Sequence, residues 1–265
     1  MWLTLHFEPR LRNLSLAGVI SEKTWKTDAA IRLGLGIGAT FCMGIVLSSL
    51  LQSGGLKLAP QQSEFAAMVV MALSFHVAAI VWIAFFLRES GLSWTTAFGL
   101  EPALQRKAVG YGVLGVLFFV PVALGWQQLS VSFMELLKMH PEAQDAVKVL
   151  QKVDLPLIER VFLGVLSILI APMAEELMFR GILYPTLKQR GFPRAGVWIT
   201  SLIFGAMHFN LQTFVPLTFF SVLLILLYEQ TGSLLAPITT HSLFNLANFI
   251  LVLATSDSAA PVHAP

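Results

Sequence analysis

Long apolar runs separated by short polar ones organise this chain. With about 20 apolar residues needed to cross a bilayer core of about 30 Å, seven stretches qualify. They are roughly residues 29–51, 65–87, 108–129, 158–184, 195–209, 213–229 and 234–254, with room for an eighth partial span. The fifth is short and meets the sixth through the polar turn FNLQTF, which predicts a hairpin. Segment 131–155 is too charged to span and reads as a loop containing amphipathic helix, lying at the membrane interface. The tail 255–265, TSDSAAPVHAP, offers nothing to bury and is expected to be disordered. The predicted fold is therefore all-α, a polytopic transmembrane helical bundle. Its expected division is a portion 1–157 (cytoplasmic segment, three spans and the amphipathic loop), a membrane core 158–254 and the tail. No internal repeat is visible, which weighs against transporters built on paired halves.

Composition sharpens this picture. The chain is 56% hydrophobic and 12% charged, with a mean hydropathy of +0.74. Soluble domains carry about 25% charged residues. A net charge of +2 gives no reason to expect nucleic acid as a partner, so the lipid bilayer is the expected surroundings. The single cysteine, Cys42, excludes an intrachain disulfide and a cysteine-based metal site. The start, MWLTLHFEPRLRNLSL, lacks the order of a cleaved signal peptide, so the first span is expected to serve as the membrane address. Lysines and arginines set the orientation. With the N-terminus cytoplasmic, inside segments hold Arg10, Arg12, Lys23, Lys26, Arg88, Arg106, Lys107, Lys188, Arg190 and Arg194. Outside loops then hold Lys57, Lys138, Lys148, Lys152 and Arg160. This asymmetry predicts N-inside and, with seven spans, C-outside.

Against that background the stretch APMAEELMFRG, residues 171–181, is anomalous. A charged residue at a helix centre costs about 2.5–3.5 kcal/mol on insertion scales. Glu175, Glu176 and Arg180 therefore need partners or water. Glu176 and Arg180 are four residues apart on one helix face, carboxylate first, which is the better order for pairing. Glu175 is turned about 100° away and is left free for chemistry. The fifth span adds FGAMH, with Phe204 and His208, and the seventh adds HSLFN, with His241 and Asn245 on one face. At 1.5 Å per residue, Glu175, His208, His241 and Asn245 fall about 14, 20, 10 and 17 Å from the cytoplasmic span ends. Four polar groups on three helices thus share one membrane layer, as a single site requires. Asn248, one turn beyond Asn245, reads as support for that site. His76, in LSFHVAAIVW, has no polar neighbour at helical spacing and reads as a histidine satisfied by helix packing.

Several proteolytic chemistries are absent. No histidine is followed by glutamate as in HExxH, no aspartate lies in a span, and no serine sits in a G-x-S-x-G elbow. Cys42 has no histidine in its span to activate it. What remains is a glutamate and a histidine able to polarise water, with His241 and Asn245 as donors to a developing oxyanion. The same groups also make a passable site for one divalent metal. Without catalysis, the cluster would suit a membrane immunity or scaffold protein, or an ion-coupled transporter.

EELMFR, FGAMH and HSLFN fit Glu-Glu-x-x-x-Arg, Phe-x-x-x-His and His-x-x-x-Asn. In that order, and with LLYEQTGSLLAPITTHSLFNL, they resemble the CPBP family of CAAX proteases and bacteriocin-processing enzymes, also called the Abi or type II CAAX endopeptidase family. The resemblance covers about residues 160–250. It implies an intramembrane endopeptidase in the plasma membrane of a prokaryote, with its cavity open to the cytosol. The implied substrate is a membrane-embedded or lipidated peptide, prenylated and CAAX-like or bacteriocin-like. Glu175 and His208 would activate water, His241 and Asn245 would hold the oxyanion, and Glu176, Arg180 and Phe204 would support them. Members are often labelled metalloproteases. The site accordingly reads either as metal-free or as one zinc held by Glu175, His208 and His241. Where many relatives have Tyr-Glu-Arg-Thr-Gly, this chain has Tyr228-Glu229-Gln230-Thr231-Gly232.

Overall fold

The computed structural model describes residues 25–53, 59–151 and 155–258. Arg10, Arg12, Lys23, Lys57, Lys152 and the last seven residues of the tail lie outside them. Nine helices follow one another among the described residues, with no strand. They are α1 (Thr27–Gln52), α2 (Pro60–Ser90), α3 (Trp94–Phe98), α4 (Pro102–Leu136), α5 (Asp145–Leu150), α6 (Leu157–Gln189), α7 (Pro193–Ala206), α8 (Leu211–Thr231) and α9 (Leu235–Ser258). Six stretches are long and apolar enough to cross a membrane: Thr27–Gln52, Pro60–Ser90, Trp94–Leu136, Leu157–Gln189, Leu211–Thr231 and Leu235–Thr255. Their outward faces stay apolar, with Leu35, Leu117 and Phe118 each about two-thirds exposed. Such faces suit lipid and not water. The chain is an integral membrane protein.

Three boundaries differ from the sequence reading. The fifth span is helical only over Pro193–Ala206. These 14 residues rise about 21 Å, short of a full crossing. Gly191, at φ +87°, and Pro193 at the helix start set its beginning. At its end the chain turns through Met207–Asn210, where Phe209 takes φ +48° and the Asn210 side chain caps α8 by accepting from Thr213 N–H. The expected hairpin with α8 forms. Secondly, α4 continues to Leu136, so part of the expected interfacial loop extends the third span, and the helix found in the remainder is the short α5. Thirdly, α9 runs to Ser258, four residues into the expected tail.

The long helices run alternately up and down. At one end Trp25 donates from its backbone N–H to Gln189 and from its indole N–H to the Gly181 carbonyl. Tyr184 and Lys188, near the end of α6, both bond Glu229 near the end of α8, at 2.7 Å. An apolar cluster of Trp25, Leu33, Phe86, Phe98, Leu177, Tyr228 and Leu234 packs beneath them. A second cluster joins Phe119 of α4 to Phe179, Phe204, Phe220 and Leu224 at mid-height. At the other end Leu150, Leu155 and Leu163 pack with Phe249 and Val252.

Helices α4 and α9 lie side by side and parallel, because Gly112 lets them approach. Thr240 donates to the Gly112 carbonyl at 2.9 Å. A Cβ on Gly112 would come within 2.6 Å of the Thr239 Cβ and 2.8 Å of the Ala236 carbonyl oxygen. Gly110, two residues earlier, has nothing within 4 Å of that position. The two glycines should answer alanine with opposite signs. Gly112→Ala is expected to destabilise by about 1–3 kcal/mol through overpacking, and Gly110→Ala to stabilise by up to about 1 kcal/mol through helix propensity. Unfolding of the purified protein in detergent reads both; equal effects would deny the close approach.

Candidate active site

The buried charges sit where α6 departs from α-helical geometry. Leu166–Ile170 and Leu177–Leu183 are π-helical turns, and Ala171–Glu176 is an ordinary α-helical segment between them. Such turns concentrate at functional sites because an extra residue per turn re-aims side chains. Arg180, wholly buried, donates from Nη1 to Glu176 Oε1 at 2.8 Å. Its Nη2 donates to the Ser221 hydroxyl at 2.7 Å and carbonyl at 3.2 Å. The guanidinium lies 4.6 Å from the centre of the Phe204 ring, a cation–π contact strengthened by exclusion of water.

Glu176 has a second partner that helical spacing did not disclose. His241 Nδ1 lies 2.9 Å from the same Oε1. A carboxylate oxygen only accepts, so Nδ1 carries the hydrogen and Nε2 is turned towards Glu175, with Oε2 at 3.9 Å. Phe204 and Phe220 flank the His241 ring at 5.8 and 5.4 Å. Glu176 therefore orients an imidazole as well as balancing Arg180.

Glu175 faces elsewhere, as the 100° offset requires. It lines a cavity of about 320 Å³ together with His76, His208, Phe179 and Phe204; Phe41, Met71, Phe75, Met207 and Phe209 complete the wall. Its Oε2 is buried without a hydrogen-bond partner. His208 stands in the turn after α7 and donates from Nδ1 to the Phe204 carbonyl at 2.8 Å, which leaves the Nε2 lone pair available. His241 and Asn245 are not in the cavity wall. Both face α6, His241 on Glu176 and Asn245 through an amide N–H to the Ser167 carbonyl at 2.7 Å, within the first π turn. Asn248 is exposed and donates to the Phe244 carbonyl on its own helix, so the support expected of it has no contact behind it.

His76 overturns its packing assignment. Its Nε2 lies 3.3 Å from Glu175 Oε1, so a polar partner exists on another helix, 99 residues away in sequence. Only the fold could disclose that pairing. Metal ligation finds less footing. Among the described residues no group of three or more His, Cys, Asp or Glu side chains could hold a metal ion.

Removing one member of a buried ion pair leaves the other charge without compensation, at about 3–5 kcal/mol. Arg180→Met and Glu176→Gln should each lower stability in detergent by about that amount, and the double variant by less than the sum. Additive losses would show that the pair is not coupled.

Comparison with known proteins adds the family. Residues 157–247 match the family model described as type II CAAX prenyl endopeptidase Rce1-like. The chain is 42% identical over 80 residues to "Uncharacterized protein YpbD" of Bacillus subtilis (strain 168), covering 29% of this chain and 38% of that protein. It is 26% identical over 154 residues to "Putative membrane peptidase YdiL" of the same organism, covering 56% and 59%. The matches thus span from under two-fifths to about three-fifths of these relatives. No solved structure matches. The matched residues 157–247, which carry both carboxylates, the arginine, His208, His241 and Asn245, are thus similar to the Rce1-like type II CAAX prenyl endopeptidases.

Proposed function

We propose that this protein is an intramembrane endopeptidase that uses Glu175 as general base. The observation that carries the reading is the unequal treatment of two adjacent carboxylates. Glu176 is held away from the cavity, its Oε1 bonding both Arg180 and His241, whereas Glu175 lines an apolar cavity with His208 and keeps a buried, unpartnered Oε2 there. A purely structural ion cluster has no use for the second arrangement, and a water-activating base needs it.

The step runs on the chain's own groups. A water held between Glu175 and His208 Nε2 gives a proton to Glu175 as its oxygen adds to the scissile carbonyl carbon. The carbonyl oxygen becomes an oxyanion; the assigned donors are the Asn245 N–H not bound to Ser167 and His241, both of which must turn from α6 towards the cavity to reach it. With Nδ1 committed to Glu176, His241 donates there from Nε2 when that nitrogen is also protonated. The intermediate then collapses: the C–N bond breaks and the amine leaves with the proton returned by Glu175. A positioned base contributes about 10²–10⁴-fold and an oxyanion donor about 10²–10³-fold.

The proposed substrates are membrane-anchored peptides, prenylated and CAAX-like or bacteriocin-like. An apolar cavity lined by phenylalanine and methionine supports this choice, since it suits a lipidated or hydrophobic segment. We orient the end bearing Arg88, Lys188, Arg190 and Arg194 in the cytosol of a prokaryotic cell on the basic-residue rule, with the cavity reached from that side.

Comparison of peptide N- and C-termini in membranes carrying wild-type protein or Glu175→Gln at matched abundance tests the activity. Cleavage products confined to the wild type are expected; identical sets would overturn the protease reading in favour of a scaffold or transporter. Chelator treatment of purified protein is expected to leave cleavage intact. Loss of activity restored by added zinc would instead assign water activation to a metal.

A further inference from the structure

We infer that His76 is a positioning residue for Glu175, supplying from outside the family-matched segment a hydrogen bond that fixes one carboxylate oxygen and leaves the other for water. The inference rests on the reading of Glu175 as the base. His76 Nε2 stands 3.3 Å from Glu175 Oε1. The carboxylate only accepts, so Nε2 is the protonated nitrogen and the buried, unpartnered Nδ1 carries a lone pair. A contact of 3.3 Å is long for an N–H···O bond, as catalytic hydrogen bonds often are before substrate closes the site.

The local backbone is built around this contact. Leu73–Val77 is a π-helical turn, closed by the Ala78 N–H donating to the Leu73 carbonyl five residues back. One residue more or less rotates a helix by about 100°. An uninterrupted α-helix would thus change the relative direction of His76 and the residues on either side of the turn. The turn is clamped from outside. Ser74 donates back to the Val70 carbonyl at 2.7 Å, and Gly44 of α1 packs so close that a Cβ there would stand 1.8 Å from the Ser74 oxygen. Phe75 rests on Phe41 at 5.1 Å and meets the His76 ring edge-on at 5.0 Å. A histidine serving only as filler requires neither the polar partner nor the re-aimed turn.

The consequence for Glu175 is rotational. Its side chain is 12% exposed and His76's 18%, so both reach the cavity. A carboxylate free to turn about its last bond presents either oxygen to a water. Held at Oε1, it presents Oε2, which has no other hydrogen bond. Misplacement of a reacting group by about 1 Å can cost about 100-fold in rate.

The test compares His76→Phe, which keeps a ring and removes the donor, with His76→Gln, whose amide N–H reaches a similar place. The probe is a peptide whose cleavage separates wild type from Glu175→Gln, titrated against the purified full-length protein. Expected for His76→Phe is a fall in kcat of about 10–100-fold with KM unchanged within about twofold, and for His76→Gln recovery of most of that loss. Equal loss in both variants would make His76 a proton-transfer group, and a rise in KM alone would make it a substrate contact; either overturns the positioning role, as would full kcat in both. The contact is checked without substrate by unfolding in detergent. His76→Phe should lower the midpoint in the wild-type background and have little further effect in Glu175→Leu; additive effects overturn the inference. If wild type shows no Glu175-dependent cleavage, the base assignment falls and takes this role with it, while a coupled unfolding result would still mark the contact as real.

Discussion

A guanidinium with no exposed surface, inside a bundle whose outer faces are apolar, constrains everything around it. Arg180 cannot be neutralised by losing a proton, and with no access to water its charge must be answered by neighbours. Glu176 answers it from the same helix, Ser221 from α8, and Phe204 from α7 through its ring face. Three helices are thereby held at one height. His241 of α9 joins through the carboxylate oxygen that Arg180 already uses. The pair thus acts as the scaffold on which the histidines are aimed, while the neighbouring glutamate keeps an oxygen unbound. Buried ion pairs often add little net stability over an apolar replacement; here the arrangement gives geometric specification, since each helix must present one particular residue at one height.

Much of this was legible in the chain. The spacing of Glu176 and Arg180 announced their pairing, and the 100° turn between adjacent residues announced that Glu175 would face another way. Shared depth brought Glu175, His208 and His241 to one layer, because helix rise is nearly constant. The hairpin of α7 and α8 followed from its polar turn. What spacing missed has a common cause. Period 3.6 was assumed throughout, whereas three π turns interrupt the two helices that carry His76, Ser167, Glu175 and Arg180. Asn245 meets a carbonyl in one of those turns and His76 sits in another, and neither pairing has a signature in local sequence. The extent of α4 was also hidden, since SFMEL carries a single charge and continues a helix as readily as it ends one.

Cross-helix contacts explain the other surprises. His76 had no partner within reach on its own helix, and a histidine on an apolar face is commonly a packed one. Its partner arrives from α6, 99 residues away in the chain. Asn248 shows the converse. Helical periodicity carried it towards the site, but its side chain turns back to its own backbone at Phe244.

The cavity wall takes Phe41, Met71, Phe75 and His76 from the first two helices and the remainder from α6, α7 and the turn that follows. The stretch that carries the family resemblance is therefore not a self-contained site. Grafted onto other spans, residues 157–247 would bring their carboxylates and histidines with them. They would arrive with one wall missing and with the free glutamate unanchored. The hydrophobic half is then open to changes that reshape the cavity without touching a recognisable motif.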